Sequence, residues 1–155
     1  MTHDLSGNMF IRRAETKDAA EISACLMALG YATSPEFVSQ KLALLLGNPS
    51  DAVFVAQDPA SSGLLGVASA HVFQLFHAPG QITRLTSLAV RADSNGKGVG
   101  RELVSAVETW SWTAGACRVE VTSGDHRQDA HSFYQAIGYA LDERRFIKHA
   151  PERAG

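Results

Sequence analysis

The stretch of this chain best suited to chemistry is Asn95-Gly96-Lys97-Gly98-Val99-Gly100, a glycine-dense loop between an apolar run at 82–90 and an amphipathic pattern that opens at Val99. A strand, glycine loop and helix in that order leave the first backbone N–H groups of the helix without intrahelical acceptors. The helix dipole adds partial positive charge at the same end, and glycine lets the main chain close on a ligand. Together these make an anion site matched to a phosphate or pyrophosphate. Spacing excludes two familiar phosphate loops. A P-loop needs Ser or Thr after its Gly-Lys, and Lys97 is followed by Gly98. A dinucleotide fingerprint needs G-x-G-x-x-G, whereas Gly96, Gly98 and Gly100 run G-x-G-x-G. The same residues also suit a tight turn that merely caps a helix.

A second pattern lies downstream: Asp125-His126-Arg127-Gln128-Asp129-Ala130-His131-Ser132-Phe133-Tyr134-Gln135-Ala136-Ile137-Gly138-Tyr139. With the loop, it resembles the GNAT superfamily of N-acetyltransferases. Residues 90–100 look like that family's cofactor motif, which ends in Gln/Arg-x-x-Gly-x-Gly/Ala. Residues 130–139 look like its A-x-x-F-Y-x-x-x-G-F/Y segment, and Ile11-Arg12-Arg13-Ala14 is a common family opening. The resemblance implies that acetyl-CoA is the co-substrate, with no metal. It implies that backbone amides of Asn95, Gly96, Lys97, Gly98, Val99 and Gly100 cradle the CoA pyrophosphate. The strand ending Leu88-Ala89-Val90 would pair with the pantetheine arm and splay from the next strand, 117–122. A backbone N–H near Leu88 would polarise the thioester carbonyl, and Tyr134 would protonate the leaving thiolate. Two positions depart from the pattern. Asn95 stands where the family usually has Gln or Arg, and Arg127 where many members have Asn. Arg127 is a reasonable phosphate partner and is counted with the cofactor-binding candidates.

Amine acylation needs a neutral nitrogen, so something must accept a proton. Some family members place a Glu on the strand matching 82–90; here that strand reads Ile-Thr-Arg-Leu-Thr-Ser-Leu-Ala-Val, with no carboxylate. Glu120, Asp125, His71, His77 and His126 are the candidates elsewhere, and a water chain is an equal alternative. Glu120 also suits a solvated strand face, Asp125 a helix cap, and the histidines a surface or satisfied core role. Tyr134 by itself reads as a core aromatic.

The elements that must position these groups follow from periodicity. Strands are expected at 9–13, 52–56, 64–75, 82–90, 117–122, 139–141 and 145–149. Helices are expected from Thr16 as N-cap to Gly30, from Ser34-Pro35 to Gly47, from Val99 to Gly115, and from Asp125 to Ile137 with Gly138 as stop. Strands in hairpins interleave with helices, which predicts an α+β fold: a mixed, mostly antiparallel sheet of six to seven strands flanked by about four helices. One domain over 1–155 is expected, with tails at 1–8 and 150–155.

The bulk numbers narrow the class of partner. A formal net charge of −2 and a pI near 6.3 argue against nucleic acid. No apolar run approaches a membrane span, and the first ten residues lack a signal core. Cys25 and Cys117 are expected on apolar faces as buried thiols, which fits a reduced, cytoplasmic location. The expected partners are acetyl-CoA and an amine on a small molecule or a protein, with a homodimer as the default assembly. The alternative is a CoA-binding regulatory module that keeps the fold without turnover.

Overall fold

The computed structural model describes residues 9–94, 96–122, 128–142 and 145–152. The chain falls into two compact units, Met1–Thr122 and Ser123–Gly155. In the first, five strands form one sheet in chain order: β1 (Phe10–Arg13), β2 (Asp51–Gln57), β3 (Leu64–Gln74), β4 (Gln81–Val90) and β5 (Ala116–Val121). The first four are antiparallel neighbours; β5 lies parallel to β4. Helices α1 (Ala19–Ala28) and α2 (Pro35–Leu45) connect β1 to β2, and α3 (Val99–Thr113) connects β4 to β5. The second unit holds α4 (Gln128–Ala136).

Alternation along β3 assigns the two faces. Val67 packs with Val53, Val55 and Ala89 against Ile22 and Cys25 of α1 and Val38 and Leu42 of α2. Its neighbour Gly66 points the other way, where a Cβ would sit 3.0 Å from Leu103 Cδ1 and 3.1 Å from Val99 Cγ1 of α3. The sheet is therefore sandwiched, α1 and α2 on one side and α3 on the other. Leu64 joins the α1/α2 cluster although it shares Gly66's parity. The register of β2 and β3 skips Leu65 at that point, and the bulge reverses the phase.

Local chemistry sets the helix starts. Ser34 Oγ accepts the Phe37 N–H at 3.1 Å, with Pro35 in the first turn, as its sequence predicts. Thr16 is not the cap of the first helix. Glu15 and Asp18 instead form a capping box around a 3-10 turn, Thr16–Asp18, which leads into α1. Asp18 is buried and holds Arg12 of β1 by two hydrogen bonds, 2.9 and 2.8 Å. It also accepts the Glu15 N–H at 2.8 Å. That demand on the Asp18 carboxylate outweighs the weaker capping capacity of Thr16.

Two other expectations are corrected. Among the described residues the sheet has five strands, and the expected six to seven are not seen. Among the described residues, 139–142 and 145–149 take no strand conformation, and Leu141, Phe146 and Ile147 are exposed, so the alternation there has no buried face. Cys117 is exposed rather than buried. The β4–β5 register steps from Gln81↔Ala116 to Thr83↔Val119, so Cys117 and Arg118 together face one residue of β4 and strict alternation fails there. Cys25 is buried as expected, and burial pushes its thiol up to about 11.

Gly66 fixes how closely α3 lies on the sheet, since a Cβ there would also stand 2.8 Å from the Ala89 carbonyl oxygen. Gly66→Ala should destabilise the protein by about 1–3 kcal/mol through overpacking, measured by urea unfolding. An unchanged midpoint would mean that α3 shifts freely.

Candidate active site

The arrangement centres on β4, which pairs with β3 along its whole length and with β5 over only half of it. The β4–β5 register ends at Leu85↔Val121, while β3 continues through Ser69↔Ser87, Ala68↔Leu88, Val67↔Ala89 and Gly66↔Val90. Between Ala70↔Leu85 and Ser69↔Ser87 the register skips Thr86, a bulge at the position where β5 ends its pairing. The Arg91 N–H donates to the Leu65 carbonyl at 2.9 Å. Antiparallel pairs alternate between hydrogen-bonded and non-bonded. Ala89 and Ser87 therefore bond to β3, while the main-chain N–H and C=O of Leu88 and Val90 face away from it, toward the side that β5 has left. The bond from the Val72 N–H to the Ser50 carbonyl gives the same phase from the β2 side.

β4 leads through a 3-10 turn, Ala92–Ser94, into the glycine loop. Gly96 and Gly98 both have φ +81, and a Cβ at either would meet nothing within 4 Å. Gly98 is the left-handed N-cap of α3, and its carbonyl accepts the Glu102 N–H at 3.0 Å. The amides ahead of Glu102 are thus the unpaired donors of a helix N-terminus, with open space before them. Val99 and Gly100 are buried beneath them, which fixes the helix end on the sheet. Lys97 is exposed. Asn95 and Arg127 lie outside the described residues, as do Asp125 and His126.

The candidates for proton acceptance differ in what already holds them. Glu120 Oε1 accepts from Arg84 at 3.1 Å and Oε2 from Arg118 at 2.7 Å. The Arg118 hydrogen bond chiefly, with that of Arg84 beside it, holds the carboxyl below the usual carboxylate range, against a smaller opposing effect of burial. Glu120 is therefore a committed anion and a weak base. His71 Nδ1 lies 2.9 Å from Asp51 Oδ1, its cross-strand partner, and the ring stacks on Phe73. His77 is exposed in the β3–β4 connection. Among the described residues, no group of three or more His, Cys, Asp or Glu is placed to hold a metal.

In the second unit, Tyr134 lies near the end of α4. The Tyr139 N–H bonds back to the Tyr134 carbonyl at 2.9 Å and the Gly138 N–H to the Gln135 carbonyl at 3.2 Å, around Gly138 at φ +100. This is a Schellman ending. It brings the Tyr139 ring to 5.8 Å from that of Tyr134, which also meets Phe133 edge-on at 5.1 Å. The Phe-Tyr-x-x-x-Gly-Tyr spacing is thus a helix terminator as well as a presentation of Tyr134.

The chain that builds this glycine-loop helix beside a half-unpaired strand matches a family model described as "Acetyltransferase (GNAT) family" over residues 18–139. The chain belongs to this family. As a GNAT protein it is 34% identical over 86 residues to an aminoalkylphosphonate N-acetyltransferase of Salmonella typhimurium, a match over 55% of each chain. It thus spans about half the length of that curated relative. Among solved structures it is similar to the aminoglycoside N-acetyltransferase AAC(6')-Iy in complex with CoA, with TM-score 0.80, 17% identity and coverage of 97% of this chain and 96% of that one. Glucosamine-6-phosphate N-acetyltransferase from Arabidopsis thaliana gives TM-score 0.79 at 16% identity, over 91% and 97% of the two chains. Acetyl-CoA is the co-substrate of the GNAT family. Among the described residues no helix is long and apolar enough to cross a membrane.

The outward backbone of β4 was expected from the family resemblance and not from the residue types of the strand. Its free N–H groups follow from where β5 ends, which no residue of β4 announces. Gly98→Glu should weaken acetyl-CoA binding at least about tenfold in calorimetric titration, by setting a like charge before the α3 amides. Gly98→Ala, whose Cβ meets no atom but must adopt positive φ, should cost about 1–2 kcal/mol of stability with a smaller loss of affinity. Equal binding by wild type and Gly98→Glu would remove the pyrophosphate from this loop.

Proposed function

We propose that this GNAT protein transfers the acetyl group of acetyl-CoA to a primary amine by direct attack in a ternary complex. The observation that carries this reading is the outward main-chain N–H of Leu88 beyond the end of the β4–β5 ladder. The amides from Asn95 to Gly100, with Arg127, would take the CoA phosphates. Leu88, Ala89 and Val90 would run beside the pantetheine arm, which fills the place that β5 vacates. The Leu88 N–H would donate to the thioester oxygen as charge develops there. The amine nitrogen then bonds to the carbonyl carbon, the C–S bond breaks, and the electron pair leaves on sulfur.

Two protons must move. The one lost by the amine passes through water to His71 in this reading. With Nδ1–H donated to Asp51, Nε2 keeps its lone pair. The one gained by the thiolate comes from the Tyr134 hydroxyl. The acceptor is a small-molecule amine. The relatives' names offer acceptors of opposite charge: an aminoalkylphosphonate and a sugar phosphate on one side, aminoglycosides on the other.

Tyr134→Phe should lower kcat by about 10²-fold or more and leave the acetyl-CoA dissociation constant within about twofold. Steady-state thiol release beside calorimetry separates the two, and near-normal turnover would sink the assignment. His71→Gln should cut kcat at least about tenfold and leave the acetyl-CoA dissociation constant within about twofold. An unchanged kcat would hand proton acceptance to water alone.

A further inference from the structure

The register of the sheet sets four polar residues in one row across its α1/α2 face. Asp51 of β2 lies opposite His71 of β3, His71 opposite Arg84 of β4, and Arg84 beside Glu120 of β5. Directly paired residues share a face, and Arg118, two before Glu120, joins the row through its 2.7 Å bond. The row lies beyond Val53, where the apolar cluster under α1 and α2 ends. It is one residue before Leu85, where the β4–β5 ladder stops. The approach to the proposed thioester position from the N-terminal half of β4 therefore crosses this row.

Its carboxylates are already engaged. Asp51 has a side chain only 12% exposed and is bonded to His71. Glu120 accepts a guanidinium N–H at each oxygen. Arg84 is 47% exposed and gives Glu120 one hydrogen bond, from a fork with several N–H donors. An incoming molecule thus meets a fixed guanidinium with donors to offer, rather than a carboxylate with oxygens to spare. A polycation would find here no unengaged carboxylate to pair with. Toward Leu88 the next side chains are the hydroxyls of Ser69 and Thr86, 2.7 Å apart, so the path is polar and uncharged. Leu88 stands four positions along β4 from Arg84, about 10–13 Å for a strand. An arginine side chain and a short amine divide that span between them.

We propose that Arg84, held by Glu120, is the subsite for an acidic oxyanion group on the acceptor, so that the substrate is a short amine carrying a phosphonate, phosphate or carboxylate. The inference rests on the acetyl-transfer reading above and adds the acceptor's charge to it. Arg84 in this role is a specificity residue, and Glu120 is the residue that positions it.

The test is thiol release from acetyl-CoA with 2-aminoethylphosphonate, β-alanine, propylamine and spermidine, beside calorimetric titration of the CoA-loaded protein with 2-aminoethylphosphonate. The two anionic amines should exceed propylamine and spermidine in kcat/KM by about tenfold or more. Arg84→Gln should raise KM for the anionic amines by about tenfold or more with the KM for acetyl-CoA unmoved, and Arg84→Lys should recover part of that loss. Spermidine or propylamine as the better acceptor, or an unchanged KM in Arg84→Gln, would overturn the subsite. If no amine releases thiol, acetyl transfer to amines fails, and the titration still decides the subsite. Binding that Arg84→Gln abolishes upholds it; absence of binding by the wild type overturns it.

Discussion

The rest of this structure depends on an unequal partnership: β4 keeps β3 to its last residue and loses β5 half-way. An open sheet edge exposes N–H and C=O groups that must bond to something. Here the exposed groups belong to an internal strand whose other edge is fully satisfied. They therefore cannot relax by sliding or pairing elsewhere, and they present a fixed ladder to a ligand of extended shape. The bulge at Thr86 marks the change, because it adds twist to β4 at the position where β5 ends its pairing. Gly66 supports the same strand from behind by letting α3 approach the β3–β4 backbone.

Much of this was legible in the residues, and what was not has a physical cause. The glycine loop could be read because positive φ at Gly96 and Gly98, followed by a buried Val99, leaves few alternatives. The second motif was legible for a mixed reason. Gly138 and Tyr139 are demanded by the way α4 ends, so part of the pattern reports capping and part reports Tyr134. A helix-ending signal and the signal read for Tyr134 as a proposed proton donor coincide there, which is why residue spacing alone could not separate them. Asn95, Arg127, Asp125 and His126 fall outside the described residues, and their roles remain expectations drawn from the resemblance.

The misreadings share one origin. Period-two alternation predicts a strand face only while register holds. In β5 the step at Cys117 and Arg118 turned an expected buried thiol outward. At 139–141 and 145–149 alternation was present with no buried face to use it. The cap at the first helix failed differently. Thr16 has the right chemistry, but Asp18 makes charged hydrogen bonds to Arg12 of β1 as well as to the turn, and the stronger, longer-range partner decides where the helix begins.

The absence of a carboxylate on β4 then takes on a meaning that the sequence alone could not give it. A neutral amine must reach the thioester, so a proton acceptor has to stand near the opening. Arg84 occupies the β4 position of the polar row, and the acidic residue beside it on β5, Glu120, is bound to two guanidiniums and kept ionised. In the proposed reaction proton acceptance then falls to the neighbouring strand, where Asp51 bonds to His71. On the proposed reading β4 has anion-binding donors at each end, the neutral α3 amides at one and the Arg84 guanidinium at the other, with an uncharged main-chain segment between them. Such a strand can hold two anionic ends of different molecules while leaving the reacting centre free of competing charge.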